Sequence, residues 1–591
     1  MKENGISRRE FLAGATASAF LGASLKAETG AATSPLQEFD YDQVELTAGP
    51  LHAQYEWMRR YYRALNDDSL LKPYRELAGL PAPGIEYGGW YGHDGFVAGH
   101  TLGQYISGLA RMARTTGDPA CADKVRALVE GFAATVRAKG KIFAGPSAEK
   151  IWPCYILDKH LAGLIDAWQC CGLEQGRALL PEVYRAGLPF MPARGRDRIG
   201  KKDPPYDETF IMPETLFAAC EVTGDRVYRD RAVAYLLDRE FFEPLARGVD
   251  VLPGSHAYSH AIALSSAGKA HLILKDEKYL RAMQFAWKQL TETQQYASGG
   301  WGPNETFITP HRGELYDSLT NTVDNFETPC GSYAAIKLDR YLLCATGEAR
   351  YGDNLERVVY NALLAVRNPN QDGDFPYYST YGPRATKTYY KMKWPCCSGT
   401  LIEGVADYVK NIYFRAPDGI AVNLFTPSRV HWKHHGRELA LEQKTGYPYA
   451  DTVALYLDCA VPTLFAVHLR LPGWLQQRPT VCVNGAPVPV VAEKGFAVAR
   501  RVWKRGDVLT VEFAQPFRLE AIDDRHPETV AVLHGPLLYV EENPAGGVAK
   551  LEAPDGWRAE GSGRYTSVSG RKYRPFHGVV DESYTTYFEK I

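Results

Sequence analysis

The chain has 591 residues, of which 45% are apolar, 12% aromatic and 23% charged. It is too long for one ordinary domain, and its composition is that of a globular protein rather than a disordered or fibrous one. Lys and Arg number 67 against 69 Asp and Glu, and the formal charge of −2 leaves no basic field for a nucleic-acid partner.

The chain opens with Ser7-Arg8-Arg9-Glu10-Phe11-Leu12, a mild apolar run to Leu25 and small residues from Ala27 to Ala32. Paired arginines, apolar run and small residues, in this order, read as a twin-arginine export signal over residues 1–32. The run is too short to span a membrane, and no other stretch is long and apolar enough. A periplasmic or extracellular protein, free of the membrane after signal removal, is therefore expected. The eleven cysteines are odd in number and scattered, unlike the dense even framework of a small disulfide-stapled domain. Most lie in apolar contexts and read as buried thiols, Cys170-Cys171 among them. Twin-arginine export generally carries folded proteins, so a thiolate site can be assembled before export.

From about 50 to 415 the apolar period is helical. Leu102, Tyr105, Ile106, Leu109, Met112 and Ala113 share one face, as do Leu280, Met283, Trp287 and Leu290. About twelve such segments are expected, near 50–66, 98–116, 121–138, 157–173, 176–188, 212–223, 225–240, 259–274, 276–294, 327–346, 350–365 and 400–412. Thr116-Gly117-Asp118, Thr223-Gly224-Asp225 and Thr346-Gly347-Glu348 look like one hairpin corner used three times. Six helical hairpins can close into an (α/α)6 barrel around a central cleft; a less regular helical solenoid is the alternative. After about 418 the period becomes two: Phe465, Val467, Leu469 and Leu471 alternate with Ala466, His468 and Arg470. Asn484-Gly485 marks a hairpin. The expected organisation is a barrel over 40–417, a β-sandwich over 418–520, and a β region over 521–591 that completes a sandwich.

Two short stretches carry candidate chemistry. Phe326-Glu327-Thr328-Pro329-Cys330 and Lys393-Trp394-Pro395-Cys396-Cys397-Ser398-Gly399-Thr400 together supply Glu327, Cys330, Cys396 and Cys397. Three thiolates and a carboxylate suit a tetrahedral Zn²⁺ site. Glu327 and Cys330 are three apart, so both can face one way at a helix start, and Ser398-Gly399 permits a sharp turn after the cysteine pair. Spacing alone leaves two readings open. There is no C-x-x-C pair, and three buried thiols beside a helix-capping glutamate fit equally. His256 and His260 have the i, i+4 spacing of a helical metal pair without the zincin glutamate. They, like His100, fit hydrogen-bonded core histidines as well as hydroxyl-binding ones.

The stretches FETPCGSYAAIKLDRYLL, LERVVYNALLA and WPCCSGT, in this order, resemble glycoside hydrolase family 127, the β-L-arabinofuranosidase family. So do GHTLGQYISGLA, YILDKHLAGLID and the later RLPGW, and the resemblance runs from about 40 to about 545. It implies an (α/α)6 barrel with attached β-sandwiches and a retaining mechanism whose nucleophile is a zinc-bound cysteine. Carried over, Cys396 is the nucleophile, and Cys397, Cys330 and Glu327 complete the zinc shell. The family's arabinofuranosidases have Glu-Thr-Cys where this chain has Glu-Thr-Pro-Cys, so Pro329 displaces Cys330 by one residue. The acid/base glutamate follows a Gly-Gly, which points to Glu305 after Gly299-Gly300; Glu314, in His311-Arg312-Gly313-Glu314, is the rival. Glu356 matches a family glutamate that binds sugar hydroxyls or supports the zinc shell. Tyr378 and the histidines 100, 256 and 260 are candidate substrate contacts.

The expected activity is a secreted, zinc-dependent retaining exo-glycosidase acting on a furanoside or related pentoside of plant cell-wall or glycoprotein glycans. The alternatives are a glycosidase for another pentose or an acidic deoxy sugar of pectin side chains, an inactive carbohydrate-binding protein on the same scaffold, and a structural zinc with lyase or other chemistry elsewhere in the cleft.

Overall fold

The computed structural model describes residues 34–197, 207–366, 368–369, 373–545 and 549–590. The export signal expected over 1–32 lies outside them. Residues from Pro35 onward form one compact unit.

Among the described residues, twelve paired helices build the first region, with Asp67–Ala78 and three shorter helices beside them: α1 (Gly49–Ala64), α2 (Leu102–Thr116), α3 (Pro119–Lys139), α4 (Pro153–Cys171), α5 (Glu174–Gly187), α6 (Pro213–Thr223), α7 (Arg226–Tyr235), α8 (Ala257–Leu274), α9 (Glu277–Thr293), α10 (Thr328–Thr346), α11 (Ala349–Val358) and α12 (Cys397–Ala406). Helices α2, α4, α6, α8, α10 and α12 touch in that order, and α12 returns to α2, closing an inner ring. Helices α3, α5, α7, α9 and α11 each pack outside their predecessor, while α1 packs on α12 and so completes the sixth pair from the two ends of the region. This is an (α/α)6 barrel.

Burial separates the two rings. Inner α8 is buried on nearly every face, Ser259, His260, Ser265 and Ser266 included. Outer α9 buries only Tyr279, Ala282, Met283, Ala286 and Leu290, at spacings of three and four. Inner helices also approach closely: a Cβ at Gly103 of α2 would stand 2.0 Å from the Lys159 carbonyl oxygen of α4. The three corners share one construction. Gly117, Gly224 and Gly347 take left-handed φ of 66°, 74° and 69°. The preceding threonine hydroxyl accepts the next backbone N–H, at 3.2, 3.2 and 3.1 Å. Asp118 and Asp225 then cap the following helix.

Two sheets follow. One runs in the order Gln37–Glu38, Tyr413–Ala416, Gly419–Val422, Thr463–Arg470, Phe496–Trp503, Val491–Glu493. The other runs Ala486–Pro487, Val481–Val483, Val508–Glu512, Thr452–Cys459, Arg437–Thr445, Ser428–His434, Val44–Leu46. Trp432 and Phe465 meet edge to face between them at 5.8 Å. Two N-terminal strands thus belong to the sandwich, although the chain then enters the barrel. Asn484-Gly485 is a two-residue hairpin turn with φ of 51° and 80°. Alternation fails at Arg470, which is fully buried. The strands from Phe517 to Glu589 form a sheet of their own and pair with neither sandwich sheet. Among the described residues no helix is long and apolar enough to cross a membrane.

Candidate active site

Local folding brings the two cysteine-bearing stretches together. Phe326–Glu327 is a short strand paired with Tyr378–Ser379, so Glu327 and the Tyr377-Tyr378 pair become neighbours. Helix α10 starts directly afterwards, with Pro329 in its first turn, where no intrahelical N–H is needed. Pro329 is accommodated there, and Cys330 reaches the cluster. Cys396 caps α12 and Cys397 is its first residue, with the chain turned at Trp394 (φ 60°). The turn therefore precedes the cysteines. Gly399 lies inside α12, where a Cβ would stand 2.1 Å from Gln104 Oε1.

The ligand atoms of Glu327, Cys330, Cys396 and Cys397 all lie within 4.8 Å of one another. Cys330 Sγ is 3.7 Å from Cys396 Sγ and 3.3 Å from Cys397 Sγ, and Glu327 Oε1 is 3.3 and 3.6 Å from the two adjacent sulfurs. A tetrahedral ion with about 2.3 Å bonds to sulfur and about 2.0 Å to oxygen requires edges of about 3.8 and 3.5 Å. The donor set fits a metal of that kind, and the sulfurs are too far apart for a disulfide. Burial pushes all four groups toward their neutral forms, and Cys330, Cys397 and Glu327 are raised well above their ordinary values. Cys396 is the exception. Burial raises it, but its hydrogen-bonding contacts with Cys330, Cys397 and Tyr377 bring it well below the usual thiol range. Its place at a helix N-terminus favours the same anion.

Glu305 stands on the same cavity. Asn304 and Glu305 both take left-handed φ, 53° and 57°, a strain that concentrates at functional positions. The Asn304 N–H donates to the Asp324 carbonyl at 2.8 Å and fixes the turn. The carboxylate accepts from His256 Nε2 (3.1 Å), Tyr377 (2.9 Å) and Tyr378 (2.5 Å). His256 caps α8, and its Nδ1 accepts the Ser259 N–H at 3.3 Å, which leaves the ring proton on Nε2 for Glu305. Burial raises the Glu305 pKa, but His256 and the two phenols outweigh it and hold the group at about 2. Tyr377 also stands 3.4 Å from Cys396 Sγ. One hydroxyl thus bounds the separation of carboxylate and sulfur at about 6.3 Å, which accommodates the about 5–5.5 Å of a retaining pair.

The cavity, of about 190 Å³, is lined by Glu305, Glu327, Cys396, Tyr377, His256, Tyr155, Tyr258, Glu208 and the aromatic rim Trp90, Phe96 and Trp152. Other expected residues lie elsewhere. Glu314 lines a different cavity, with Thr309 N–H 3.4 Å away. Glu356 accepts from Arg470, from Tyr447 at 2.7 Å and from Trp474 at 3.1 Å, at the joint of barrel and sandwich, far from a sugar-binding role beside Cys396. His260 is fully buried between Phe210 and Phe241, bonded to Asp197 and to the His256 carbonyl. His100 sits behind Trp90 rather than on the wall, with Nδ1 on the Val97 carbonyl, and burial lowers its pKa to about 4. Tyr377 was not singled out in the sequence, although its neighbour Tyr378 was. Nor were Glu208 or the rim, whose Gly-rich approach (Gly88-Gly89-Trp90) was the available signal.

A profile of the GH127 β-L-arabinofuranosidase catalytic domain matches residues 43–410, and one of the GH127 middle domain matches residues 419–515. The chain belongs to glycoside hydrolase family 127. A non-reducing end β-L-arabinofuranosidase of Bifidobacterium longum subsp. longum is 25% identical over 351 residues, 54% of this chain and 50% of that protein. The chain thus spans about half the length of this curated relative. Two solved structures share the fold along the chain. One, a GH127 β-arabinofuranosidase, has a TM-score of 0.74 at 17% identity, covering 94% of this chain and 98% of its own. The other, a GH127 β-L-arabinofuranosidase from Geobacillus stearothermophilus T6, has 0.70 at 19%, covering 93% and 100%. Within this family-127 chain, the barrel supplies every residue of the cysteine cavity.

Proposed function

We propose that the chain is a zinc-dependent retaining exo-glycosidase that releases β-L-arabinofuranosyl units, with Cys396 as nucleophile and Glu305 as acid and then base. The observation that carries this reading is the single cavity onto which Cys396 and Glu305 both open, bridged by the Tyr377 hydroxyl. Glu327, Cys330, Cys396 and Cys397 would hold the ion, and Zn²⁺ there supplies the positive charge that keeps the sulfurs deprotonated.

In this reading Cys396 Sγ attacks the anomeric carbon as the bond to the leaving oxygen breaks, and Glu305 gives that oxygen a proton. A thioglycosyl enzyme results. Glu305 then takes a proton from water, whose oxygen displaces Cys396 as a thiolate, and two inversions give net retention. The carboxylate held ionised in the free site suits the second step. Proton uptake for the first follows when Tyr377 and Tyr378 turn their hydroxyls from Glu305 to the sugar.

The cavity volume, about 190 Å³, suits one sugar ring and hence removal of single terminal units. Its lining has three carboxylates and, among the described residues, no Lys or Arg. That favours a neutral sugar over the acidic one and agrees with the activity in the Bifidobacterium relative's name. Export by the twin-arginine route to the periplasm or beyond is part of the proposal and rests on Arg8-Arg9 and the apolar run after them.

The test is hydrolysis of an aryl β-L-arabinofuranoside by zinc-replete mature protein beside Cys396→Ser, with the first-formed anomer read by proton NMR. The proposal expects a β-anomer from the parent protein and none from the variant. An α-anomer, or equal activity in both, contradicts it.

A further inference from the structure

The cysteine cavity is not the largest. A second cavity, of about 710 Å³, opens where the barrel meets both β regions, and it shares no lining residue with the first. Its size falls in the about 300–1,000 Å³ range of small-ligand sites.

Two tryptophans line it in fixed orientations. The Trp474 indole N–H donates to Glu356 Oε2 at 3.1 Å and that of Trp287 to Asp339 Oδ1 at 2.7 Å. Each ring is thereby locked and brings flat apolar area to a cavity that is otherwise polar, the combination that receives a sugar ring. Most charges on the wall are already matched. Asp353 and Glu356 pair with Arg470, Glu520 takes both terminal nitrogens of Arg357 at 2.5 and 2.8 Å, and Asp524 accepts from His311 at 2.6 Å.

Two charged groups on the wall form no ion pair among the described residues: Glu314, which has the Thr309 N–H at 3.4 Å, and Arg518. Arg518 is half-buried and lines the cavity. One N–H goes to the Gly535 carbonyl, and no carboxylate among the described residues forms an ion pair with it. Burial, and Arg357 beside it, lower its pKa to about 10. A guanidinium presented this way is matched to a planar carboxylate.

We propose that this cavity is a second, non-catalytic site that binds a saccharide carrying a carboxylate, with the acid on Arg518 and a sugar ring against Trp474. It stands apart from the hydrolytic reading, and its test uses no turnover. Isothermal calorimetry on the full mature protein would compare trigalacturonate with its neutral carboxyl-reduced counterpart, each with and without saturating L-arabinose. The proposal expects trigalacturonate to bind equally well in L-arabinose and the neutral trisaccharide to bind at least about tenfold more weakly. Arg518→Gln should weaken trigalacturonate by a similar factor. Absence of binding, equal affinity for the two probes, displacement by L-arabinose, or parental affinity in a folded Arg518→Gln overturns it. Should that variant not fold, the two probes on the parent protein decide alone.

Discussion

Glu356 and Arg470 form a buried joint whose removal should cost stability rather than substrate binding. Glu356 is 2% exposed, and Arg470 is fully buried, holding Glu356, Asp353 (2.6 Å) and the Asn423 carbonyl (2.5 Å). Arg470→Met keeps most of the bulk and removes the cation, leaving Glu356 with Tyr447 and Trp474 only. Breaking a buried pair from one side costs about 3–5 kcal/mol. The Asp353 contact adds less, because that side chain is 28% exposed and water can replace part of it. Glu356→Gln keeps one carbonyl oxygen for Arg470 and Tyr447 but sets its NH2 against the Trp474 N–H, so about 1.5–3 kcal/mol is expected, the worth of hydrogen bonds to a charged group. The assay is urea unfolding followed by tryptophan fluorescence, with KM for an aryl β-L-arabinofuranoside measured on the folded fraction. Both variants should unfold at lower urea with KM unchanged. If Arg470→Met unfolds at the parental urea concentration, or Glu356→Gln folds normally but raises KM, the structural reading of this pair fails.

Three further outcomes follow from the site. Tyr378→Phe removes a 2.5 Å bond to Glu305, worth about 1.5–3 kcal/mol or about 1–2 pKa units upward from the value near 2. The glycosylation step needs Glu305 protonated, so kcat/KM falls as pH rises through this pKa, and the variant should carry that limb to higher pH; an unmoved limb contradicts the assignment. Glu305→Gln should lower kcat/KM for poor leaving groups by about 10²–10⁴ and leave kcat/KM for a dinitrophenyl glycoside far less affected, while kcat for that glycoside falls because deglycosylation lacks its base; Glu314→Gln should change none of these, and the reverse pattern would reinstate Glu314. A strong chelator should lower the melting temperature and add thiols reactive to a thiol reagent, both reversed by Zn²⁺, and a melting curve indifferent to chelator and zinc would argue against a metal at the cluster.

The barrel could be read from the sequence because its helices repeat apolar residues every three or four positions and share a corner motif whose Gly and Asp have fixed conformational jobs. Asp67–Ala78 was missed: Pro73 interrupts its pattern, yet Asn66 and Gly79 cap a full helix. The strands Gln37–Glu38 and Val44–Leu46 were hidden because they are two and three residues long and take their partners from beyond residue 410. Within the site, the cysteine cluster was visible as residue types, but the choice between Glu305 and Glu314 was not. It depends on a left-handed turn at Asn304 and Glu305 that no spacing rule encodes. Glu356 misled for a physical reason. LERVVYN and RLPGW both carry the family resemblance, and in the fold they meet each other, Glu356 on Arg470 and Trp474, as a joint between barrel and sandwich. Tyr377 lacked any signal of its own. Its role comes from the ladder that sets Tyr378 opposite Glu327.

As nucleophile, the Cys396 sulfur must bond to the sugar. The most direct measurement is intact-mass and peptide mass spectrometry of zinc-loaded Glu305→Gln protein quenched during turnover of a dinitrophenyl β-L-arabinofuranoside, where loss of the base slows hydrolysis of the intermediate. A mass increase of one pentosyl unit is expected on the peptide containing Cys396-Cys397, abolished by Cys396→Ser and retained in Cys170→Ser. A pentosyl adduct on Glu327 or another carboxylate, or full turnover with no adduct and an inverted product, would contradict it.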